Sequence, residues 1–384
     1  MIKTSIILAA ILLVALVSAN TENVDEFSGV VVASVGKDAI RAYAVSSILS
    51  SFNAVGTAIY GSITNSSVNA AADANTFTFQ GGNNCFYAMS YNAIAASIGS
   101  GININATSFS AAYFPTILVE YVESNGQAGF QNGTDTIVGW TRLDRLGDLL
   151  NPWDIKYVQK DFNTSAPNGK TYPFNVILAN ATSPRGLVTF RFAIPGAPVN
   201  VNGVSLTGEQ TKIDIEIRNY FDASVNKKSS GLCNAGSVIP FTCGSTGPSN
   251  NANSRLALIS FVAAAAAEAD VEVSSSTSVH TVGGDITAAL SWVTTVDING
   301  TGATANVITQ VNVYDNNKDA FDVSFTGAFN VFANVNAQVL VQSFDAVRPN
   351  LIVWDPTFGG RANSAAVLVP TITVFVALAV ALLL

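Results

Sequence analysis

A single histidine, three cysteines and a charged fraction of only 11% are the thin parts of this 384-residue sequence. Each scarcity excludes something. A Ser-His-Asp triad would have to run through His280, in "STSVHTVGG", and no Gly-x-Ser-x-Gly elbow is present to hold a strained nucleophile. His280 therefore reads as a surface residue. Three cysteines cannot supply the four ligands of a structural zinc site. There is no phosphate loop, dinucleotide fingerprint or basic tract. The net charge of −8 argues against nucleic acid, whose binding needs clustered Lys and Arg. No cofactor is expected, and no catalytic or metal-binding residue is assigned.

What replaces charge is amide and hydroxyl. Soluble domains carry about 25% charged residues, so Asn, Ser and Thr must cover much of this surface, and attached sugars would add to it. Six sequons lack Pro in the middle position: Asn65, Asn105, Asn132, Asn163, Asn180 and Asn299. Each is a competent N-glycan acceptor in an exported chain, and each occupied one must face solvent. Cysteine use agrees with export. Cys233 and Cys243 stand in "SGLCNAGSVIPFTCGS", a stretch able to turn back on itself, and a disulfide there would contribute roughly 2–3 kcal/mol by the chain-entropy model. Cys85 reads as a small buried apolar side chain.

The apolar runs lie at the two ends. Residues 1–19 have Lys3, the run Ser5–Val17 and the small-residue site Val17-Ser18-Ala19. That run makes only about 20 Å of helix, short of a ~30 Å bilayer core, so it reads as a cleaved secretory signal with the mature chain beginning at Asn20. Val367–Leu384 is uncharged and would make about 27 Å of helix. It carries no Lys or Arg after it, as a conventional single-pass anchor normally does. Small residues precede it at Gly359-Gly360 and Asn363-Ser364-Ala365. The expectation is a glycosylphosphatidylinositol (GPI) attachment signal over 359–384, with Asn363 as the attachment point and a spacer shorter than the usual ~8–12 residues. A retained membrane helix is the alternative. Either way the expected location is the cell surface, outer leaflet.

Between the ends, strands dominate. From Phe321 to Val341 apolar residues recur at every second position, a period-two signal. In "TKIDIEIRNY" Ile213, Ile215 and Ile217 point one way and Lys212, Asp214, Glu216 and Arg218 the other, which predicts one buried and one wet face. "RLALISFVAAAAAEADVEVSSS" has a helix-favouring alanine run. Yet its odd positions from Ala257 to Val273 are all apolar, and it reads as strand. Further strands are expected at "TILVEYV", "DTIVGWTRL", "FNVILANA", "GLVTFRFAI", "AALSWVTTVDI" and "NVITQVNVYD". Turn pairs separate them at Asn125-Gly126, Asn132-Gly133, Asn202-Gly203 and Asn299-Gly300. Helix is predicted over 38–52, with a short turn at "LDRLGDLL". The fold class is mainly β, an antiparallel β-sandwich architecture with few short helices. Residues 229–254, rich in Gly, Ser and Asn, form a linker or long loop between an N-terminal β region (20–228) and a C-terminal one (255–358); one large sandwich and two smaller ones both fit.

Two chemical readings are weighed against plainer ones. Asp144, Asp148 and Asp154, with Trp153 as a sugar platform, offer the paired carboxylates of a glycosidase; interleaved Arg142, Arg145 and Lys156 make a self-neutralising face the simpler reading. Glu123, Asn125, Gln127 and Asp135 faintly resemble a calcium loop, but Ala128 and Thr134 stand where an EF-hand needs Gly and Glu, so a hairpin connection is preferred. The expected function is therefore non-enzymatic recognition or adhesion by a surface β scaffold. Its partners would be the membrane, through a lipid anchor, and another surface protein or a glycan. A carboxylate-based surface hydrolase and a passive coat protein are the alternatives.

Overall fold

The computed structural model describes residues 27–35, 39–48, 51–64, 67–80, 86–98, 104–124, 126–146, 153–165, 171–195, 199–201, 204–206, 210–229, 233, 243–265, 269–275, 278–283, 286–300, 302–313 and 336–362. Its fold is mainly antiparallel β, as the periodicity predicts, and its strands lie in one curled sheet and one small separate hairpin. The first limb is a meander of β1 (Phe27–Val35), β2 (Ala39–Ile48), β3 (Ser51–Thr64), β4 (Ser67–Gln80), β5 (Phe86–Ile98) and β6 (Ile104–Val122). β6 is long enough to serve several neighbours. Its first half pairs with β5, its last turns pair with β7 (Thr136–Arg142), and its other edge pairs with β14 (Arg255–Ala265).

The second limb contains β8 (Asp154–Ser165), β9 (Thr171–Thr182), β10 (Val188–Pro195) and β13 (Gln210–Arg218), paired in that order, with β11 (Val199–Val201) and β12 (Val204–Leu206) forming a small separate hairpin. β15 (Ala269–Ser275), β16 (Ser278–Gly283) and β17 (Ile286–Ser291) follow as a second meander. β18 (Thr295–Ile298) and β19 (Ala303–Val313) form a hairpin, and β19 pairs with β20 (Asn336–Phe344), which lies against β14. β21 (Leu351–Trp354) and β22 (Thr357–Ala362) run on in one direction along the free edge of β13, and β22 also pairs with β17. The β18–β19 hairpin and the β18–β21 ladder join the two limbs. Strands from before residue 229 and after residue 254 thus share ladders at β6–β14, β13–β21 and β13–β22.

The core follows from alternation. Ile117, Val119 and Tyr121 of β6, Ala257, Ile259 and Phe261 of β14, and Val339 and Val341 of β20 form one buried cluster, capped by Trp140 of β7 and Phe130. The opposite faces of these strands are buried too. Leu118, Leu256, Leu258 and Leu340 have no exposed surface, and Tyr113 approaches Trp354 of the second limb with ring centroids 6.4 Å apart. Pro115 sits in β6 without breaking the sheet because it lies at a bulge. The register with β14 slips between Ile259 and Ser260, and Thr116 Oγ1 donates to the Ile259 carbonyl at 2.8 Å.

Two expectations need correction. Within the predicted helix, residues 39–48 and 51–52 are strand, β2 and the start of β3; 38, 49 and 50 lie outside the described residues. Alanine favours helix by only tenths of a kcal/mol per residue, and Ile40, Tyr43, Val45 and Ile48 favour strand. Ladders on both edges of β2, to β1 and β3, decide the matter. The polar face of β13 is not wet throughout: Lys212 and Glu216 are buried, at 3% and 5% exposure. Lys212 is paired with Asp214 and with Asp355 (3.3 Å), and Glu216 with Arg191 and Arg218, so each buried charge keeps a partner. The described parts of the alanine-rich segment are strand, as β14 and β15, while 266–268 lie outside the described residues; in "LDRLGDLL" Leu143–Arg145 form a 3-10 turn. Of the long alternation, 336–341 lie in β20, while 321–335 lie outside the described residues.

Candidate functional site

β6, β9, β13, β18 and β20 all end, and β7, β10, β14, β19 and β21 all begin, at one end of the curled sheet. The described parts of their connections, 123–124, 126–135, 183–187, 219–229, 233, 243–254, 299–300, 302 and 345–350, gather there. Hydrogen bonds tie them across long sequence separations. Arg218 N donates to the Leu187 carbonyl (2.8 Å), Asn219 N to Asn350 (2.7 Å), Asn299 N to Leu351 (3.0 Å) and Arg348 N to Ser254 (3.1 Å).

Glu120 organises the centre of this end. It lies on β6 opposite Gly139 and Leu256, in phase with Leu118, and its side chain has no exposed surface. Its carboxylate accepts from Ser249 N (2.8 Å), Ser249 Oγ (2.5 Å) and Ser254 Oγ (2.6 Å), with Arg348 Nη1 3.9 Å away. These charge-assisted bonds satisfy an ion that burial would otherwise penalise by several kcal/mol. Gly139 is needed opposite: a Cβ there would come within 2.8 Å of Glu120 Oε2 and 3.3 Å of the Gly247 carbonyl. Beside it Thr246 Oγ1 accepts from Trp140 N (2.9 Å), Trp140 Nε1 donates to the Cys243 carbonyl (3.1 Å), and Thr141 and Ser245 hydroxyls both donate to buried Asn226 Oδ1 (3.0 and 2.9 Å). Arg348 bonds the Ser249 and Asn251 carbonyls and lies 4.4 Å over the Phe221 ring. Burial, joined by the nearby Glu120 charge, pushes the Tyr220 hydroxyl far above the ordinary tyrosine range. Chemically, the Glu120 carboxylate is committed to holding 244–254 against the core. It is sealed from solvent and offers nothing to a substrate.

The residues singled out in the sequence are placed as follows. Cys233 and Cys243 are disulfide-bonded, with Cα atoms 5.6 Å apart, and the bridge packs beside Trp140. Asn132 and Asn299 are both exposed at turns, beside Gly133 (φ 82°) and Gly300 (φ 63°), and Asn299 itself has φ 62°. Asn180 is half-buried on β9, whereas Asn105 and Asn163 lie on β6 and β8 with side chains outside the described residues. Asn65, Asn363, Cys85 and both apolar ends fall outside the described residues altogether.

The acidic residues do not form a ligand shell. Asp135 accepts from Ser124 N (2.9 Å) and Gln131 N (2.8 Å), clasping the β6–β7 connection, and Glu123 pairs with Arg255 (3.0 Å). No group of three or more His, Cys, Asp or Glu that could hold a metal ion occurs among the described residues. Asp154 is exposed on β8, but Trp153 is no sugar platform: it is 3% exposed and stacked on Phe190, with centroids 5.7 Å apart. Asp144 lies in the 3-10 turn with its side chain outside the described residues, as is all of Asp148. His280 is on β16, opposite Glu272 and Ala289. No helix among the described residues is long and apolar enough to cross a membrane.

Glu120, Gly139, Asn226 and Arg348 were not legible as a group. The one signal is Glu120 itself: in "TILVEYV" both alternating phases are apolar, so the strand is buried on both faces and a carboxylate in it must find buried partners. No protein-family model matches this chain, and no curated protein matches its sequence.

Proposed function

We propose that the chain is a glycosylated, lipid-anchored cell-surface protein, non-enzymatic, that acts in recognition or adhesion through the loop end of its β scaffold. The observation that carries this reading is the direction of the last two strands. The backbone leaves the loop end at Asn350 and runs through β21 and β22 along β13, from Arg218 back past Gln210, to Ala362. That path is about 40 Å at ~3.3 Å per residue. An anchor attached just beyond it would therefore carry the loop end outermost, where a partner meets it first.

Other features support the same reading. The loops are held by hydrogen bonds on a packed core, which suits a preorganised binding surface. Asn132 and Asn299 are exposed at the turns that lead into this end. The apolar run Val367–Leu384 and the small residues before it fit a GPI signal. Treating intact host cells with a phosphatidylinositol-specific phospholipase should release the full chain, and deleting Val367–Leu384 should convert it to a secreted protein. A C-terminal tag retained on the mature protein would contradict the lipid anchor. Beads coated with the released protein should bind cells or cluster; inert beads at high density would contradict adhesion.

A further inference from the structure

The loop end carries positive charge on an acidic chain. Arg185, Arg191, Arg218, Lys227 and Lys228 are all exposed, on three adjoining segments. Contacts link those segments directly. Arg185 Nε donates to the Val225 carbonyl at 2.8 Å, two residues before Lys227, and Arg218 N donates to the Leu187 carbonyl at 2.8 Å. Three acidic residues lie among them: Asp222, Glu216, and Asp214, which stands opposite Arg191 and is paired with Lys212. Glu216 is 5% exposed and sits between two arginines: Oε2 accepts from Arg191 Nη2 (2.5 Å) and Oε1 from Arg218 Nη2 (2.6 Å). Arg191 and Arg218 are nonetheless 44% and 49% exposed, so one buried carboxylate fixes two guanidinium groups whose outer edges face water.

Arg185 adds an independent observation. In the turn Pro184-Arg185-Gly186 its backbone takes φ 65°, a left-handed conformation that Gly or Asn adopts readily and other residues rarely. Such a conformation at a long side chain is strained and persists where the surroundings enforce it. Among the described residues only its Nε is engaged, so the strained turn presents the rest of the guanidinium outward.

From this geometry we propose that the surface formed by Arg185, Arg191, Arg218, Lys227 and Lys228 binds a sulfated glycan. The proposal rests on the recognition reading above and names its partner class. Guanidinium forks match sulfate and carboxylate oxygens in two-point contacts, and held forks lose less freedom on binding. A protein partner is less well served. Protein interfaces centre on buried aromatic or aliphatic anchors, and the large apolar side chains exposed among the described residues are Val293 and Val347, neither in these segments. With −8 overall, the chain repels polyanions in general, so capture must be local to this surface.

The test uses the full chain and immobilised heparin as the sulfated probe, with polyglutamate as a non-sugar polyanion. Retention at about 0.15 M salt and release as salt rises is expected, and polyglutamate should retain the chain far less. The double variant Arg185→Asn, Lys227→Gln should weaken heparin binding at least tenfold. Arg41→Gln on β2 with Lys160→Gln on β8, an equal charge change outside the row of Arg191, should leave it within twofold. Because Asn accepts φ near 65°, Arg185→Asn alone should unfold no earlier than the parent, which separates lost binding from lost fold. No retention on heparin, equal retention on polyglutamate, or equal weakening in the control pair would overturn the proposal. Coated beads that bind cells while heparin fails would remove the glycan and keep recognition; heparin retention with inert beads would do the reverse.

Discussion

The middle and the loop end of the β6–β14 ladder are closed by different physics. Midway along it, Ile117, Ile259, Val341 and Trp140 pack with no charged group between them. At the loop end the same strands bury Glu120, and closure depends on Ser249, Ser254 and Arg348 finding it. Apolar packing is non-directional and tolerates small shifts. A buried carboxylate holds its partners in one geometry, and losing any of them leaves a polar group unpaid in a low-dielectric place. The comparison teaches why the irregular segment 244–254 can be well placed despite its polar, Gly-rich composition. It is fixed by the buried ion, together with bonds to Trp140, Thr141 and Asn226, rather than by a regular element of its own.

Breaking the apolar part should cost most. Trp140→Ala removes the largest side chain of the cluster and is expected to destabilise by about 3–5 kcal/mol, read from denaturant unfolding. Glu120→Ala comes next. It strands two serine hydroxyls and a backbone amide, and about 2–4 kcal/mol is expected from the lost charge-assisted bonds. Glu120→Gln should recover part of that, because one acceptor oxygen remains; full recovery would mean the ionic character is unimportant. Gly139→Ala should cost about 1–3 kcal/mol, since neither the carboxylate nor the Gly247 backbone can yield the space. Combined with Glu120→Ala it should cost less than the sum of the two, because the clash partner is gone.

The smallest expected effect concerns pH. Burial raises Tyr113, Tyr121 and Tyr220 far above the ordinary range. A tyrosine raised in the folded state contributes stability that is fully present below its unfolded pKa of ~10 and is lost as pH rises beyond it. Absorbance of tyrosinate should therefore show these three ionising only with unfolding.

Alternation made most of the fold legible. "TKIDIEIRNY" reads as a strand by its isoleucines alone, and the Asn299-Gly300 pair marks the β18–β19 turn. The period also outranked the alanine run of β14. At 39–48 the period is broken, with Ile40 and Ile48 in one phase and Tyr43 and Val45 in the other, so the intervening alanines look helical. What alternation cannot supply is which side chains meet across the ladders. Lys212 and Glu216 look solvent-facing in sequence because partners of theirs, Asp355 between β21 and β22 and Arg191 of β10, lie far away along the chain. Glu120 finds its serines more than a hundred residues downstream, in a segment with no period of its own. The disulfide was the exception, since a short Gly/Pro-rich loop between two cysteines carries its own closure.

The most direct measurement is hydrogen exchange by mass spectrometry across 244–254 in the full chain, beside Glu120→Ala. If Glu120 fixes this segment, the Ser249 amide, which donates to Glu120, and the Thr246 amide, which donates to Trp140, exchange slowly in the parent. In the variant their protection should fall at least tenfold while Ile117–Val119 stays protected. Fast exchange of 244–254 in the parent, or no change on removing Glu120, would contradict the account.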